Sequence, residues 1–400
     1  MPPAWPHCDH AKCTNREHGK EGSMKNVAIV GVGIHPFGRF DYGYRQIGEV
    51  AMRDCLADAK LQPEDVDMVL VANVGAEMAK GHNIVNRVRY IGKPIINVEA
   101  ACASGGSALS LGASLIESGA VKTVLCLGVE KAPRGFIAGA GFENWQIESG
   151  LGVNPLYFSF QAQDLMRTTD ATLEDLADVA VKNHGHSVHN PHAMYRREFT
   201  RGEVLASRPV CDPLTLLMLC TPNEGAAAVA LMDKDEAAKR GFDNSIRIGG
   251  IGLASRATDD WFVPAPSLQS EMTSISARAA DTALEQAGMG VDDIDLVECQ
   301  DTDTASELIA YSDLGLCNKG EEAELLRSGA TTLGGSIPVN VSGGLLSKGE
   351  PLGASGLGQV HELVTQLRGT AGPRQVKDAR VGMAHVMGAG HNACVVVVQR

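Results

Sequence analysis

Cys102 stands in the segment NVEAACASGG, between a short apolar run and a stretch rich in Ala, Ser and Leu, with Ala101, Ala103, Gly105 and Gly106 around it. A thiol where a strand turns into a helix meets unpaired backbone N–H groups and partial positive charge, which favour a thiolate and a nearby anion. Its small neighbours leave the sulfur clear for a bulky substrate. Sulfur suits attack on a thioester, because the tetrahedral adduct can expel a thiolate of similar leaving ability. Free cysteine is also among the most buried residue types, so position alone leaves a structural thiol as an equal reading. Two further groups have proton-transfer chemistry. Glu350, in the glycine-rich NVSGGLLSKGEPLGASG, could act as a general base or orient one, or could be a solvated loop carboxylate. His385, in GMAHVMGAG, titrates near neutrality and could pass a proton either way, or could be a hydrogen-bonded core histidine.

Alternating strand and helix patterns must position these groups, and they predict an α/β fold. NVAIVGVG reads as a buried strand, Tyr44 to Ala59 as a helix, PEDVDMVLVAN as turn then strand, and AVKTVLCLGVE as another strand. The second part of the chain repeats the first. SIRIGGIGLAS answers NVAIVGVGIHP, SIPVNVSGG answers PIINVEAACASGG, and DARVGMAHVMGAG answers AVKTVLCLGVEKA. A duplication of this length implies two similar halves with a site between corresponding turns. The expected organisation is an extension over 1–23, an N-terminal half over 24–240 carrying a helical lid at about 137–207, and a C-terminal half over 245–400.

Four hundred residues suit two or three packed units. A net charge of -13 argues against general nucleic-acid or acidic-membrane binding, which needs a positive surface. No apolar run approaches the roughly 20 residues of a membrane span, and no cleavable leader pattern opens the chain, so a cytoplasmic location is expected. Ten cysteines in a chain of this size do not suggest a disulfide scaffold, and Cys126 and Cys394 sit in apolar runs as small hydrophobes.

Taken in order, NVEAACASGG, CDPLTLLMLCTPNEGAAAV, NVSGGLLSKGEPLGASGLGQ and the final AHVMGAG resemble the thiolase superfamily, in its sterol-carrier-protein/lipid-transfer branch. The resemblance runs from about Met24 to the C-terminus. It implies a thiolase fold of duplicated βαβαβαββ halves in a five-layered αβαβα arrangement, a homodimeric core and no cofactor beyond coenzyme A as substrate. It also implies an acyl intermediate on Cys102, and contacts to the CoA thioester from Asp301, Ser342, Gly343, Gly388 and Gly390. Two positions depart from the family pattern. Gly349-Glu350-Pro351 stands where thiolases carry GHP, and an ionised Glu350 accepts hydrogen bonds but cannot donate one to an oxyanion. Gln300-Asp301-Thr302-Asp303 stands where the branch has HDCF, so no thiol remains there; Gln300 could donate through its amide and Asp301 could hold the loop. His385 matches the histidine of the branch's last glycine loop and is the preferred remaining acid/base.

These departures point to thiolase chemistry on an unusual aromatic or branched 3-ketoacyl-CoA, such as one resembling benzoylsuccinyl-CoA. The alternatives are a retro-aldolase acting on a β-hydroxyacyl-CoA and a non-catalytic acyl-CoA-binding scaffold. The resemblance also implies a small accessory subunit with an OB fold and a zinc ribbon.

Weaker signals remain. Cys8, His10, Cys13 and His18 match no strong zinc spacing, and His184, His186, His189 and His192 read as a polar surface helix end; no metal is expected at either. Arg87, Arg89, Arg134, Arg196 and Arg197 are all candidates for CoA phosphates. GVGIHPFG lacks the third glycine and the acidic residue of a dinucleotide fingerprint.

Overall fold

A computed structural model describes residues 26–75, 78–90, 92–135, 142–242, 246–256, 274–389 and 392–400. The extension with Cys8, His10, Cys13 and His18 lies outside them, as does Gly390. In the first half, largely apolar runs form β1 (Val27–Gly38), β2 (Met68–Ala72), β3 (Ile95–Val98), β4 (Thr123–Lys131) and β5 (Glu224–Asp233). Between them lie the helices α1 (Tyr44–Asp58) and α2 (Ser104–Glu117), then the lid helices α3 (Asn154–Thr168) and α4 (Leu173–Ser187). The second half holds β6 (Ile246–Ser255), α5 (Ile275–Ala287), β7 (Leu296–Glu298), α6 (Thr304–Asp313), the single turn α7 (Gly344–Ser347), α8 (Ser355–Leu367), β8 (Val381–Gly388) and β9 (Asn392–Gln399).

Among the described residues these strands follow the order β3-β2-β4-β5-β1-β6-β9-β8-β7. The joint, among the described residues, consists of the pairs Ala28–Arg247 and Ile29–Ile246 between β1 and β6. On either side of it the order mirrors, β1-β5-β4-β2 against β6-β9-β8-β7, with parallel and antiparallel pairs in the same places. The partner of β3 in the second half has shrunk to one parallel bridge, Val297–Val339. The repeat seen in the residues is therefore a repeat of topology.

Three apolar clusters mark the layers. Ile47, Ala51 and Met52 of α1 pack on Val69, Val71 and Leu127 at one face. Ala108 and Leu109 of α2, with Leu357 and Leu363 of α8, fill the space between Val32 and Val229 on one side and Val386 and Val396 on the other. At the far face, Ala279 and Ala283 of α5 and Leu308 of α6 cover Val395 and Val397. Helix, sheet, helix, sheet, helix is the result. Strands buried on both faces need largely apolar sequences, and Gly225–Met232 of β5 and Ala393–Val398 of β9 are apolar throughout, whereas β8 carries one buried polar residue, His385.

The lid does not cap its own half. Ala162, Leu165, Leu176 and Ala180 of α3 and α4 join the apolar cluster of the second half. This also corrects the surface reading of the histidine-rich segment. His184 is 1% exposed and its Nδ1 lies 2.9 Å from Ser347 Oγ, while His186 binds the Asn340 carbonyl at 3.0 Å and the Leu333 N–H at 3.0 Å. The polar character that suggested solvent serves buried hydrogen bonds instead; His189 is the exposed member.

Candidate active site

Cys102 lies on the turn that joins β3 to α2. Ala101 adopts φ 51°, and Ala100 N–H donates to Ser104 Oγ at 2.8 Å, so the chain reverses within four residues and leaves Cys102 half-buried ahead of the helix. Gly388 at the end of β8 lies against this turn: a Cβ there would come within 2.3 Å of the Ala100 carbonyl oxygen. Gly388 therefore lets the Cys102 turn pack against the end of β8.

The corresponding turn of the second half delivers Glu350, 2% exposed. Its backbone is stitched to the segment before β5: Glu350 N–H donates to the Thr221 carbonyl at 3.3 Å, and Asn223 N–H donates to the Glu350 carbonyl at 3.2 Å. Two donors reach the carboxylate, with the Cys102 thiol nearby. Gln300 Nε2 donates at 3.1 Å to Oε1 and Cys220 Sγ donates at 2.9 Å to Oε2, and the Cys102 thiol is near enough for its ionisation and that of the carboxylate to affect each other.

Cys220 was not singled out among the residue types, although it sits in CDPLTLLMLCTPNEGAAAV. It lies 130 residues from Glu350 in the chain, and no spacing rule links the two. Its backbone N–H donates at 2.8 Å to the Thr302 carbonyl, which ties it to the Gln300 loop. The signal available was a second cysteine beside an apolar strand, a pattern that burial explains equally well.

The electrostatics overturn the expected ready thiolate. Burial first, and then the adjacent Glu350 charge, hold the Cys102 thiol well above its ordinary range. Cys220 is pushed the same way by the same two causes. Glu350 itself is raised by burial, against which Cys220, Cys102 and Gln300 act. The helix end is too weak to reverse this, since a turn's dipole contributes about 1 kcal/mol while desolvation of a charge costs several. The resting cluster thus consists of two thiols and one carboxylate that shares a single negative charge among its donors.

Gln300 links this cluster to the last strand. Its Oε1 accepts from Met387 N–H at 3.4 Å, and its own backbone N–H lies 3.4 Å from His385 Nδ1. His385 is 3% exposed, with Nε2 2.9 Å from Ser276 Oγ. Burial lowers it to about 4, so the ring is neutral, accepts through Nδ1 and donates through Nε2. The structure brings Cys102, Glu350 and Gln300 near one another and places His385 behind Gln300, against its backbone N–H.

Asp301, Ser342 and Gly343 are buried supports. Asp301 Oδ1 accepts from Leu345 N–H at 2.6 Å, and its Oδ2 accepts from Leu346 N–H at 3.2 Å and Asn183 Nδ2 at 2.8 Å. Ser342 donates its backbone N–H and hydroxyl to Glu298, and its carbonyl accepts from Asn190 Nδ2 at 2.8 Å. Gly343 has φ 101°, and a Cβ there would lie 2.4 Å from Ser187 Cβ. Of the arginines, Arg87 pairs with Glu49 at 2.6 Å and Arg197 with Glu203 at 2.6 Å.

Comparison with known proteins agrees with this architecture. Residues 27–203 match the family model for the thiolase N-terminal domain, and residues 265–400 match that for the thiolase C-terminal domain-like family. The chain belongs to the thiolase family. With membership comes the broad class, a thiolase-type acyltransferase enzyme. The chain is 35% identical to human sterol carrier protein 2 over 92% of its own length and 71% of that protein. It is 36% identical to an acetyl-CoA acetyltransferase of Methanothermobacter thermautotrophicus, covering 94% of this chain and 100% of that one. It is 34% identical to the benzoylsuccinyl-CoA thiolase subunit BbsB of Thauera aromatica, covering 92% and 96%. In fold, this thiolase-family chain is similar to the Ltp2-ChsH2(DUF35) aldolase, with a TM-score of 0.83 at 23% identity over 94% of this chain and 97% of that one. It is also similar to human mitochondrial 3-ketoacyl-CoA thiolase, with a TM-score of 0.71 at 19% identity over 94% and 100%. Among the described residues no helix is long and apolar enough to cross a membrane.

Proposed function

We propose that this thiolase-family enzyme cleaves, or in reverse forms, a C–C bond in a 3-ketoacyl-CoA through an acyl group carried on Cys102. The observation that carries the reading is the half-buried Cys102 thiol set near the buried Glu350 carboxylate, where the two halves meet. A protonated thiol beside a desolvated base needs only one short proton transfer to become a nucleophile. Glu350 takes that proton, Cys102 attacks the 3-keto carbon, and the C2–C3 bond breaks with its electron pair leaving as the enolate of the shortened acyl-CoA. The proton that the incoming CoA thiol gives up then protonates that enolate at C2. The thiol of free CoA then accepts the acyl group and Cys102 leaves as thiolate, recovering its proton from Glu350. Gln300 holds the carboxylate, and neutral His385 holds Gln300. The likeness to a benzoylsuccinyl-CoA thiolase subunit supports an aromatic or branched acyl chain.

Mass spectrometry after mixing with a 3-ketoacyl-CoA tests this: an acyl adduct on Cys102, absent in Cys102→Ser, is expected. Turnover that survives Cys102→Ser would reject the covalent route.

A second reading has its own observation. Glu350 is a carboxylate that can take the proton of a β-hydroxyl, and retro-aldol cleavage needs that base and no acyl-enzyme. The fold likeness to an aldolase complexed with a DUF35 partner accords with this, and with a small OB-fold and zinc-ribbon accessory subunit. Cleavage that continues without free CoA and releases an aldehyde or ketone selects the lyase. A homodimer through β3 is part of the proposal, because β3 ends the sheet and Ile96 on it is 41% exposed.

A further inference from the structure

The Glu350 turn and the Gln300 loop are both built in the second half, yet a cation in the hydrogen-bond network behind them comes from the lid. Lys182 on α4 is buried, and its Nζ lies 2.8 Å from Glu307 Oε1 on α6. We infer that Lys182 is a positioning residue, which through its ion pair with Glu307 fixes the Gln300 loop beside the Glu350 turn. The inference rests on the roles given to Glu350 and Gln300 above and adds the distant group that keeps them in register.

The links are continuous. Lys182 Nζ also donates to the Val339 carbonyl at 3.0 Å and to Asn183 Oδ1 at 2.6 Å. Glu307, fully buried, accepts through Oε2 from Asn183 Nδ2 at 2.6 Å and Asn340 Nδ2 at 2.7 Å, and through Oε1 from the Tyr311 hydroxyl at 2.5 Å. Each of these two amides then ties the loop to the turn. Asn340, at φ 55°, donates its N–H to the Val297 carbonyl at 2.8 Å and accepts from Cys299 N–H at 2.9 Å through Oδ1. Asn183 Nδ2 reaches Asp301 Oδ2 at 2.8 Å, and Asp301 takes the N–H groups of Leu345 and Leu346. Both routes lead to the bond of Gln300 Nε2 to Glu350 Oε1 at 3.1 Å.

A carboxylate sealed from solvent keeps its charge only with a cation beside it. Burial pushes Glu307 up, and the Lys182 charge and its donors more than offset this, so the group sits below the ordinary carboxylate range. Without Lys182 the charge is uncompensated, and the carboxylate must take up a proton, draw in water or shift. Each weakens its hold on Asn183 and Asn340, because a neutral carboxyl is the poorer acceptor. Removing one partner of such a pair is therefore more damaging than removing both. The Cys102 turn, held through Ser104 and Glu99, shares none of these bonds and serves as the internal control.

Amide hydrogen exchange followed by mass spectrometry tests this on the whole chain without a ligand. In Lys182→Met, exchange across 297–303 and 339–350 should quicken by about tenfold or more, and exchange across 99–106 should change by less than about threefold. In the double variant Lys182→Met with Glu307→Gln, both charges are gone, and exchange across the two segments should return to within about threefold of the natural protein. Lys182→Gln, which keeps a donor for the Val339 carbonyl, takes the place of Lys182→Met if the latter does not fold. Acylation of Cys102 by acetoacetyl-CoA supplies the catalytic readout. Its maximum rate should fall by about tenfold or more in the single variant, with the half-saturating concentration within about twofold. Unchanged exchange in the single variant, an equal rise in all three segments, a double variant as fast as the single one, or an unchanged acylation rate overturns the inference. A natural enzyme that forms no acyl adduct would instead remove the acyl-Cys102 reading, and the exchange pattern would still decide whether Lys182 fixes the loop and the turn.

Discussion

The two turns that meet at the site descend from the same position in the repeat, yet they are held in opposite ways. The Cys102 turn is stabilised locally: Ala100 N–H to Ser104 Oγ, Ser104 Oγ to the Ala101 carbonyl at 2.5 Å, and Ala101 N–H to Glu99 Oε1 at 2.8 Å, no partner more than four residues away. The Glu350 turn is held from a distance. Asp301 and Glu298 reach it across 44 residues, Asn190 across 152, and Ser187 binds Ser347 across 160, with Lys348 1% exposed and 3.6 Å from Glu298. The first turn leaves its proposed nucleophile half-buried, and its backbone groups find close partners. The proposed base is buried, and every polar group buried with it must be satisfied.

If that contrast is real, damage to the second turn should cost far more than damage to the first. Asp301→Ala leaves two backbone N–H groups and the Asn183 amide without their acceptor, and should lower the unfolding free energy by about 4 kcal/mol in a denaturant titration. A loss below about 1 kcal/mol would mean that the buried carboxylate is dispensable. Gly343→Ala, at φ 101° and against Ser187, should cost about 3 kcal/mol by the same measurement.

The pH dependence of the rear layer follows from His385. The ring ionises at about 4 when folded and near 6.5 when unfolded, so between these values the unfolded chain binds the extra proton. Stability from this residue is full above about 6.5 and falls as pH drops toward 4, by about 1.4 kcal/mol per pH unit at most. His385→Gln should flatten that slope relative to the natural protein; parallel curves would contradict a buried neutral ring. The smallest effect is expected at the local turn, where Glu99→Ala should cost less than about 1 kcal/mol because the freed Ala101 N–H can bind water.

Much of this was open to reading in the residues. Apolar runs bounded by glycines located β1, β4 and β8, and the repeated segments anticipated the mirrored order of strands. Cys102, Glu350 and Gln300 were named and do converge. The thiolate expected at Cys102 was not found, because a helix-end argument counts one local dipole and omits the carboxylate that folding sets beside the sulfur. His385 was named as the acid/base, and its residue type gave no hint that Ser276 and the Gln300 backbone would take both ring nitrogens. The histidines near 184 looked solvated because polarity was the only information available; their partners at Asn340 and Ser347 come from the other half.

Periodicity, small residues at turns and internal repetition are local properties, so the amino-acid order alone was enough to specify the strands, the duplication and the turns that carry Cys102 and Glu350. Which way a buried polar side chain points depends on partners more than a hundred residues away. Only the assembled layers could place Cys220 on Glu350, turn His385 behind Gln300 and raise both thiols, because burial and charge act through space and not along the chain.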